Sequence, residues 1–206
     1  MMVVEWFGFI RKVVNMNYYF VLKRMKKNEL KTALSYNKKK MSIIRLKIFI
    51  ADRELHDKYV TIVEKHNQKM ASTAPFADSG FDLYVPENVM IGGGDTKWVD
   101  HQIQCAMTFH DKPCGFYLYP RSSLSKTPLM LANHVGIVDA GYRGNLIGAF
   151  RNILKENFNS IYCIEKDSRL LQICHPSLLP IQVFLVNSVE ELGDPTARGC
   201  GGFGST

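Results

Sequence analysis

From residue 42 onward the chain consists of short apolar runs broken by Gly, Pro, Asn and Asp. IIRLKIFI (43–50) alternates loosely between apolar and polar positions and predicts a first strand. In DRELHDKYVTIVEKHNQ (52–68), Leu55, Tyr59, Ile62, Val63 and His66 fall on one face at helical spacing, which predicts one short helix near the start with His66 at the edge of its apolar stripe. Beyond it the period drops to two. FDLYV (81–85), QIQCAMTF (102–109), FYLY (116–119), HVGIVD (134–139), NLIGAF (145–150), SIYCI (160–164), RLLQI (169–173) and IQVFLV (181–186) are strands of about five residues at turn-rich spacing, the pattern of a β-sandwich or barrel. Ile103, Cys105, Met107 and Phe109 share one side of the second of these. No βαβ repeat is present and no GxGxxG opens a helix, so a nucleotide site here is not of the Rossmann kind. The predicted class is all-β.

The 206 residues suit one domain plus an appendage, and 46% apolar residues suffice for a core. The net charge of +7 first suggests a nucleic-acid partner, until it is divided along the chain. Residues 1–41 hold ten Lys/Arg against two Glu, whereas residues 42–206 hold sixteen Lys/Arg against seventeen Asp/Glu. The basicity belongs to the extension, and the body carries no footprint for sequence-specific nucleic-acid binding. No apolar stretch in the extension approaches the ~20 residues of a membrane span. A targeting peptide, a dispensable leader upstream of Met41 as the working initiator, an interfacial amphipathic helix at a membrane and a nucleic-acid-binding arm stay open for it. Five scattered cysteines without CxxC spacing indicate neither a disulfide framework nor a zinc site, and fit an intracellular, reducing compartment such as cytoplasm or nucleus.

Five segments carry candidate chemistry. In DSGFDLYVP, Asp82 beside Gly80 either caps a strand or holds a hydrated magnesium ion, which prefers oxygen ligands and keeps its waters. In YPRSSLSKTP, Arg121 with Ser122 and Ser123 forms either a polar loop or a phosphate cradle of guanidinium, hydroxyls and amides. NHVGIVDAGYRGNL reads as a hairpin in which Gly141 and Gly144 permit a sharp reversal and hold Asp139 and Tyr142 near the turn. Main-chain groups at such a turn can read the O2, N3–H and O4 edge of uracil. In DSRLLQICHP, Gln172 interrupts an apolar strand and needs partners if buried. RGCGGFGST (198–206) is either a bare terminus or a phosphate-approaching glycine run with Phe203 as a stacking face.

In this order the five segments resemble the five ordered motifs of the trimeric dUTP pyrophosphatase (dUTPase) family, over roughly Ile43 to Thr206. PRSSLSKTPLMLAN is most similar to members encoded by large DNA viruses. The resemblance implies a jelly-roll-like dUTPase fold and a homotrimer whose active sites combine motifs of different subunits. It implies Mg2+ as cofactor and hydrolysis of dUTP to dUMP and pyrophosphate, which prevents uracil incorporation into DNA and supplies dUMP for thymidylate synthesis. Residue by residue, it implies that Asp82 holds the metal through water, that Arg121, Ser122 and Ser123 bind phosphate, and that Gln172 contacts phosphate. Asn133, Gly136 and Val138 would form the uracil and deoxyribose pocket, with Tyr142 packed under the sugar and Asp139 activating water. Arg198, Phe203, Gly204, Ser205 and Thr206 would close over the nucleotide as a mobile lid, Arg198 with a catalytic part. The implied organisation is a basic extension (1–41), a β domain (42–197) and the lid (198–206).

Departures from the family pattern are few. The chain ends at Thr206 where relatives often carry another glycine, Gly141 stands where many have an acid, and Lys166-Asp167-Ser168 replaces a common Gly-Asp pair. Rival readings are a dCTP deaminase, which shares the fold but lacks the Phe-containing tail; a catalytically silent nucleotide-sensing or protein-binding module; and a nucleic-acid binder driven by the basic arm.

Overall fold

The computed structural model describes residues 44–74, 76–155, 160–194 and 199–201, all within the unit Ile43–Thr206. The first strand, β1 (Ile44–Phe49), buries Ile44, Leu46 and Ile48 completely. It occupies the interior of a sheet ordered β13-β1-β5-β6, whose other members are β5 (Gln104–Phe109), β6 (Lys112–Cys114) and β13 (Ile181–Leu185). The β1–β13 pairing is parallel, and β1–β5 is antiparallel.

The helix α1 (Arg53–Thr73) starts where Asp52 accepts a hydrogen bond from the Leu55 N–H at 2.8 Å. It buries Leu55, Tyr59 and Val63, the centre of the stripe read from the sequence. At 21 residues it is not the short helix expected. Lys69, Met70 and Ala71 are good helix formers and continue it past the last apolar contact. The hydroxyls of Ser72 and Thr73 then bond back to the Lys69 carbonyl at 3.0 and 2.8 Å, and Pro75 disfavours helical geometry at Ala74.

Every strand anticipated from alternation is present, with bounds shifted by a few residues. Four others are added: β3 (Val89–Ile91), β4 (Thr96–Asp100), β6 and β8 (Leu129–Leu131). β3 pairs with β11 (Tyr162–Ile164), and β4 and β8 flank β10 (Ile147–Asn152). The fourth sheet is ordered β2-β12-β7-β9, from β2 (Gly80–Leu83), β12 (Leu171–Cys174), β7 (Phe116–Pro120) and β9 (Gly136–Val138).

The hairpin expected over Asn133–Leu146 does not form. β9 pairs with β7, whereas β10 belongs to the sheet with β4 and β8, so the segment between them crosses from one sheet to another. A connection of eight residues, 139–146, is longer than the loops of about two to five residues that bind adjacent strands into a hairpin. The described part is thus mostly β, with one helix near its start.

Candidate active site

The sequence candidates collect in two places. The first is built on the fourth sheet. Alternation turns Phe81, Leu83, Leu171, Ile173 and Leu118 inward, each buried. The opposite face receives Asp82, Gln172 and Tyr119 in one row, because Gln172 stands opposite Asp82 on one side and opposite Tyr119 on the other. Gly80 makes the space: a Cβ there would lie 2.2 Å from Gln172 Oε1. The Gln172 amide nitrogen reaches the Pro120 carbonyl at 3.4 Å.

Arg121 follows the end of β7, and Arg169 precedes β12. Arg121 Nε contacts Asp82 Oδ1 at 2.7 Å, and Arg169 Nη1 contacts Asp82 Oδ2 at 3.2 Å. All three side chains are partly exposed, so this is a solvated cluster and not a buried ion pair. Ser123 Oγ donates to the Arg169 carbonyl at 2.9 Å, and Arg121 Nη1 donates to the same carbonyl at 3.2 Å. Ser123 therefore braces the two arginine-bearing segments. Ser122 opens the 3-10 turn Ser122–Lys126, where its carbonyl accepts from Ser125 Oγ at 2.6 Å. Arg169 carried no signal in the sequence, since a charged residue before a strand is ordinary. Its significance comes from the pairing of β12 with β2.

Asp82, Arg121, Arg169 and Gln172 line a cavity of about 1020 Å³ that is bounded on one side by α1. Cys174 lines it too, but burial and, to a smaller extent, the Asp82 charge push its thiol up to about 11, so at neutral pH it is no nucleophile.

The second place is the crossing segment after β9. Tyr142 N–H donates to the Asp139 carbonyl at 3.0 Å, closing a turn, and the Tyr142 hydroxyl donates to the Asn145 carbonyl at 2.8 Å. A Cβ on Gly144 would stand 2.5 Å from that hydroxyl, so any larger residue here must displace the ring. Arg143 ties the loop together: Nη1 donates to the carbonyls of Ala140 and Tyr142 at 3.0 and 2.8 Å, and its N–H donates to the Gly199 carbonyl at 2.7 Å. Asn133, Gly136, Val138, Asp139 and Tyr142 all line a cavity of about 210 Å³. Leu118, Asn145 and Gly201 line it as well, none of them singled out from the sequence as contributing to this pocket.

The two cavities share no lining residue: Asp82, Arg121 and Gln172 line the first, and Asn133, Asp139 and Tyr142 the second. Arg198, Phe203, Gly204, Ser205 and Thr206 lie outside the described residues, as does the whole extension 1–41. Among the described residues no group of three or more His, Cys, Asp or Glu converges as a metal site, and no helix is long and apolar enough to cross a membrane. All five cysteines are free. Asp82, a single carboxylate between two guanidiniums, is no cage for a bare cation. It fits a magnesium ion that keeps its waters and arrives bound to phosphate.

Two bacterial proteins named deoxyuridine 5'-triphosphate nucleotidohydrolase are similar to this chain. That of Nautilia profundicola is 33% identical over 131 residues, 62% of this chain and 83% of the relative. That of Clostridioides difficile is 35% identical over 130 residues, 63% and 83% respectively. Among solved structures, a dUTPase from Streptococcus mutans is 23% identical, covers 56% of this chain and 86% of its own, and superposes with a TM-score of 0.42. The EIAV dUTPase is 28% identical, with 48% and 78% covered and a TM-score of 0.39. Both nucleotidohydrolase relatives are bacterial, and the leaning toward large DNA viruses is not established over them. The dUTPase family profile matches residues 66–206. With more than two thirds of its length matched in this way, the chain belongs to the dUTPase family.

Proposed function

We propose that the protein hydrolyses dUTP to dUMP and pyrophosphate at sites completed between the subunits of a homotrimer. The observation that carries the reading is the distribution of the motif residues over two cavities with no common lining residue, one holding Arg121 and Arg169 and one holding Asn133, Asp139 and Tyr142 among apolar residues. The first suits the phosphate chain and the second a base and sugar. A second copy of the chain is the simplest way to bring both to one nucleotide.

In this mechanism Arg121 and Gln172 bind phosphate oxygens, Ser122 adds its hydroxyl and main chain, and Asp82 faces the metal through water. Mg2+, when bound with the nucleotide, neutralises phosphate charge and fixes the geometry of the chain. Asp82 must release at least one of its two arginines for this, which frees that guanidinium for phosphate. Asp139 removes a proton from a water aligned on the α-phosphorus, and pyrophosphate leaves. Asn133, Gly136 and Val138 present main-chain groups to uracil. A close wall excludes the 5-methyl of thymine, and the donor pattern of cytosine leaves polar groups unpaired. Tyr142, fixed by its bond to Asn145, lies under deoxyribose, where a 2′-hydroxyl collides with it. Arg198 and the Phe203–Thr206 segment close the site, Phe203 stacking on the base. The free cysteines fit a reducing, intracellular setting.

The test is incubation with dUTP, dTTP, dCTP and UTP, with and without Mg2+, measuring monophosphate and pyrophosphate. Turnover of dUTP alone, dependent on the metal, is expected. Asp139→Asn should lower kcat by about 10²- to 10⁴-fold while sparing nucleotide binding. Release of ammonia from dCTP would favour the deaminase, and metal-independent or unselective turnover would overturn the mechanism.

A further inference from the structure

The larger cavity has a wall that the five motifs do not supply. Thr61, Ile62, Lys65, His66 and Lys69 of α1 line it, at the three- to four-residue spacing that puts them on one helical face. The wall is firmly held. His66 Nε2 lies 2.8 Å from the Ile181 carbonyl, and its ring meets Phe81 edge-on at 5.1 Å. The Asn67 side-chain amide donates to the Val183 carbonyl at 2.8 Å and accepts from the Val183 N–H at 3.1 Å, extending the ladder at the edge strand β13.

The charges on the lining leave an excess of two positive charges, one among the two arginines on Asp82 and one on Lys65. Four cations, Lys65, Lys69, Arg121 and Arg169, face two carboxylates, Asp78 and Asp82. Lys69 pairs with Asp78 at 2.5 Å, and both arginines share Asp82. One turn before the lining residues, Lys58 pairs with Asp167 and lies 4.8 Å from the Tyr84 ring centre. Among the described residues no carboxylate pairs with Lys65, so the cavity carries uncompensated positive charge on the helix side. Lys65 stands one residue before the stretch 66–206 that the family profile matches and belongs to none of the five motifs.

We propose that Lys65 is a further binding residue for the polyphosphate end of the nucleotide, delivered by α1 from across the cavity. This rests on the reading that the cavity takes the triphosphate. A lysine ammonium acts there as a point charge on phosphate oxygens and is met equally by substrate, transition state and released pyrophosphate. Its removal therefore raises KM and weakens pyrophosphate binding, and leaves kcat in place.

The experiment compares the full chain with Lys65→Ala, Lys65→Arg and Lys65→Glu. Lys65 is exposed on a helix, so these substitutions keep the fold. At low salt, Lys65→Ala should raise KM for dUTP and the dissociation constant for magnesium pyrophosphate together, each by about 3- to 10-fold, with kcat and dUMP inhibition unchanged. Lys65→Arg should restore both, Lys65→Glu should exceed the alanine effect, and high salt should erase the differences. Pyrophosphate affinity equal in the parent and Lys65→Ala, measured by titration calorimetry, would overturn the role of Lys65. The calorimetry needs no turnover, so it decides on Lys65 even if the parent protein hydrolyses no dUTP, an outcome that would instead remove the proposed reaction.

Discussion

Asp82 and Gln172 show what one residue can announce from sequence. Gln172 was visible because an amide among Leu170, Leu171 and Ile173 breaks an apolar run. Asp82 was visible because it sits beside a glycine at a strand start. The structure adds why they belong together: they are opposite each other in a ladder, with Gly80 leaving room for the amide. Arg169 was silent, since nothing local distinguishes it, and only the pairing of β12 with β2 brings it to Asp82. Ser123, expected to offer its hydroxyl to phosphate, donates it to the Arg169 carbonyl. At the second cavity, Gly144 is set by contact with a side chain. Gly144→Ala places a methyl against the Tyr142 hydroxyl and displaces the ring, so kcat/KM for dUTP should fall by at least about 10-fold, as misplacement by an ångström does elsewhere. Steady-state kinetics beside an unchanged far-ultraviolet circular dichroism spectrum would check it.

At the level of elements, alternation revealed the strands that have one face in the core, because a period of two survives wherever burial is one-sided. It missed β4, TKWVD, in which Val99 alone is buried, and the three-residue strands β3, β6 and β8, which are too short to show a period. The false hairpin has a related cause. Gly141 and Gly144 do permit the reversal, but local turn chemistry cannot say which partner a strand will take, and β9 finds β7 instead of β10. For α1 the apolar face is legible and the C-terminal end is not, because good helix formers carry it on past its buried residues Leu55, Tyr59 and Val63. The N-terminal end depends on the Asp52 cap. Asp52→Ala should cost about 1 kcal/mol, read as a lower urea midpoint at constant m-value.

For the whole molecule, two cavities without a common residue turn an assembly question into an assay. Arg121→Ala damages one cavity and Asp139→Asn the other, so each variant alone should be nearly inactive. Co-refolded in equal amounts, they should regain about a quarter of parental activity, the chance that an intact cavity of one protomer meets its intact complement on a neighbour. No recovery, with mixed oligomers present by native mass spectrometry, would place the reaction within single subunits. The division between protomers was not legible from composition or periodicity. It is what the motif resemblance implies, and the mixing experiment tests it. The position of β1 has another consequence. This strand sits in the middle of its sheet, between β13 and β5, and starts at Ile44, so a ribosome that begins on the Met41 codon still makes every described element. One that begins at the next methionine, Met70, makes a chain lacking β1 and most of α1, and such a product should be cleared by proteolysis before it accumulates.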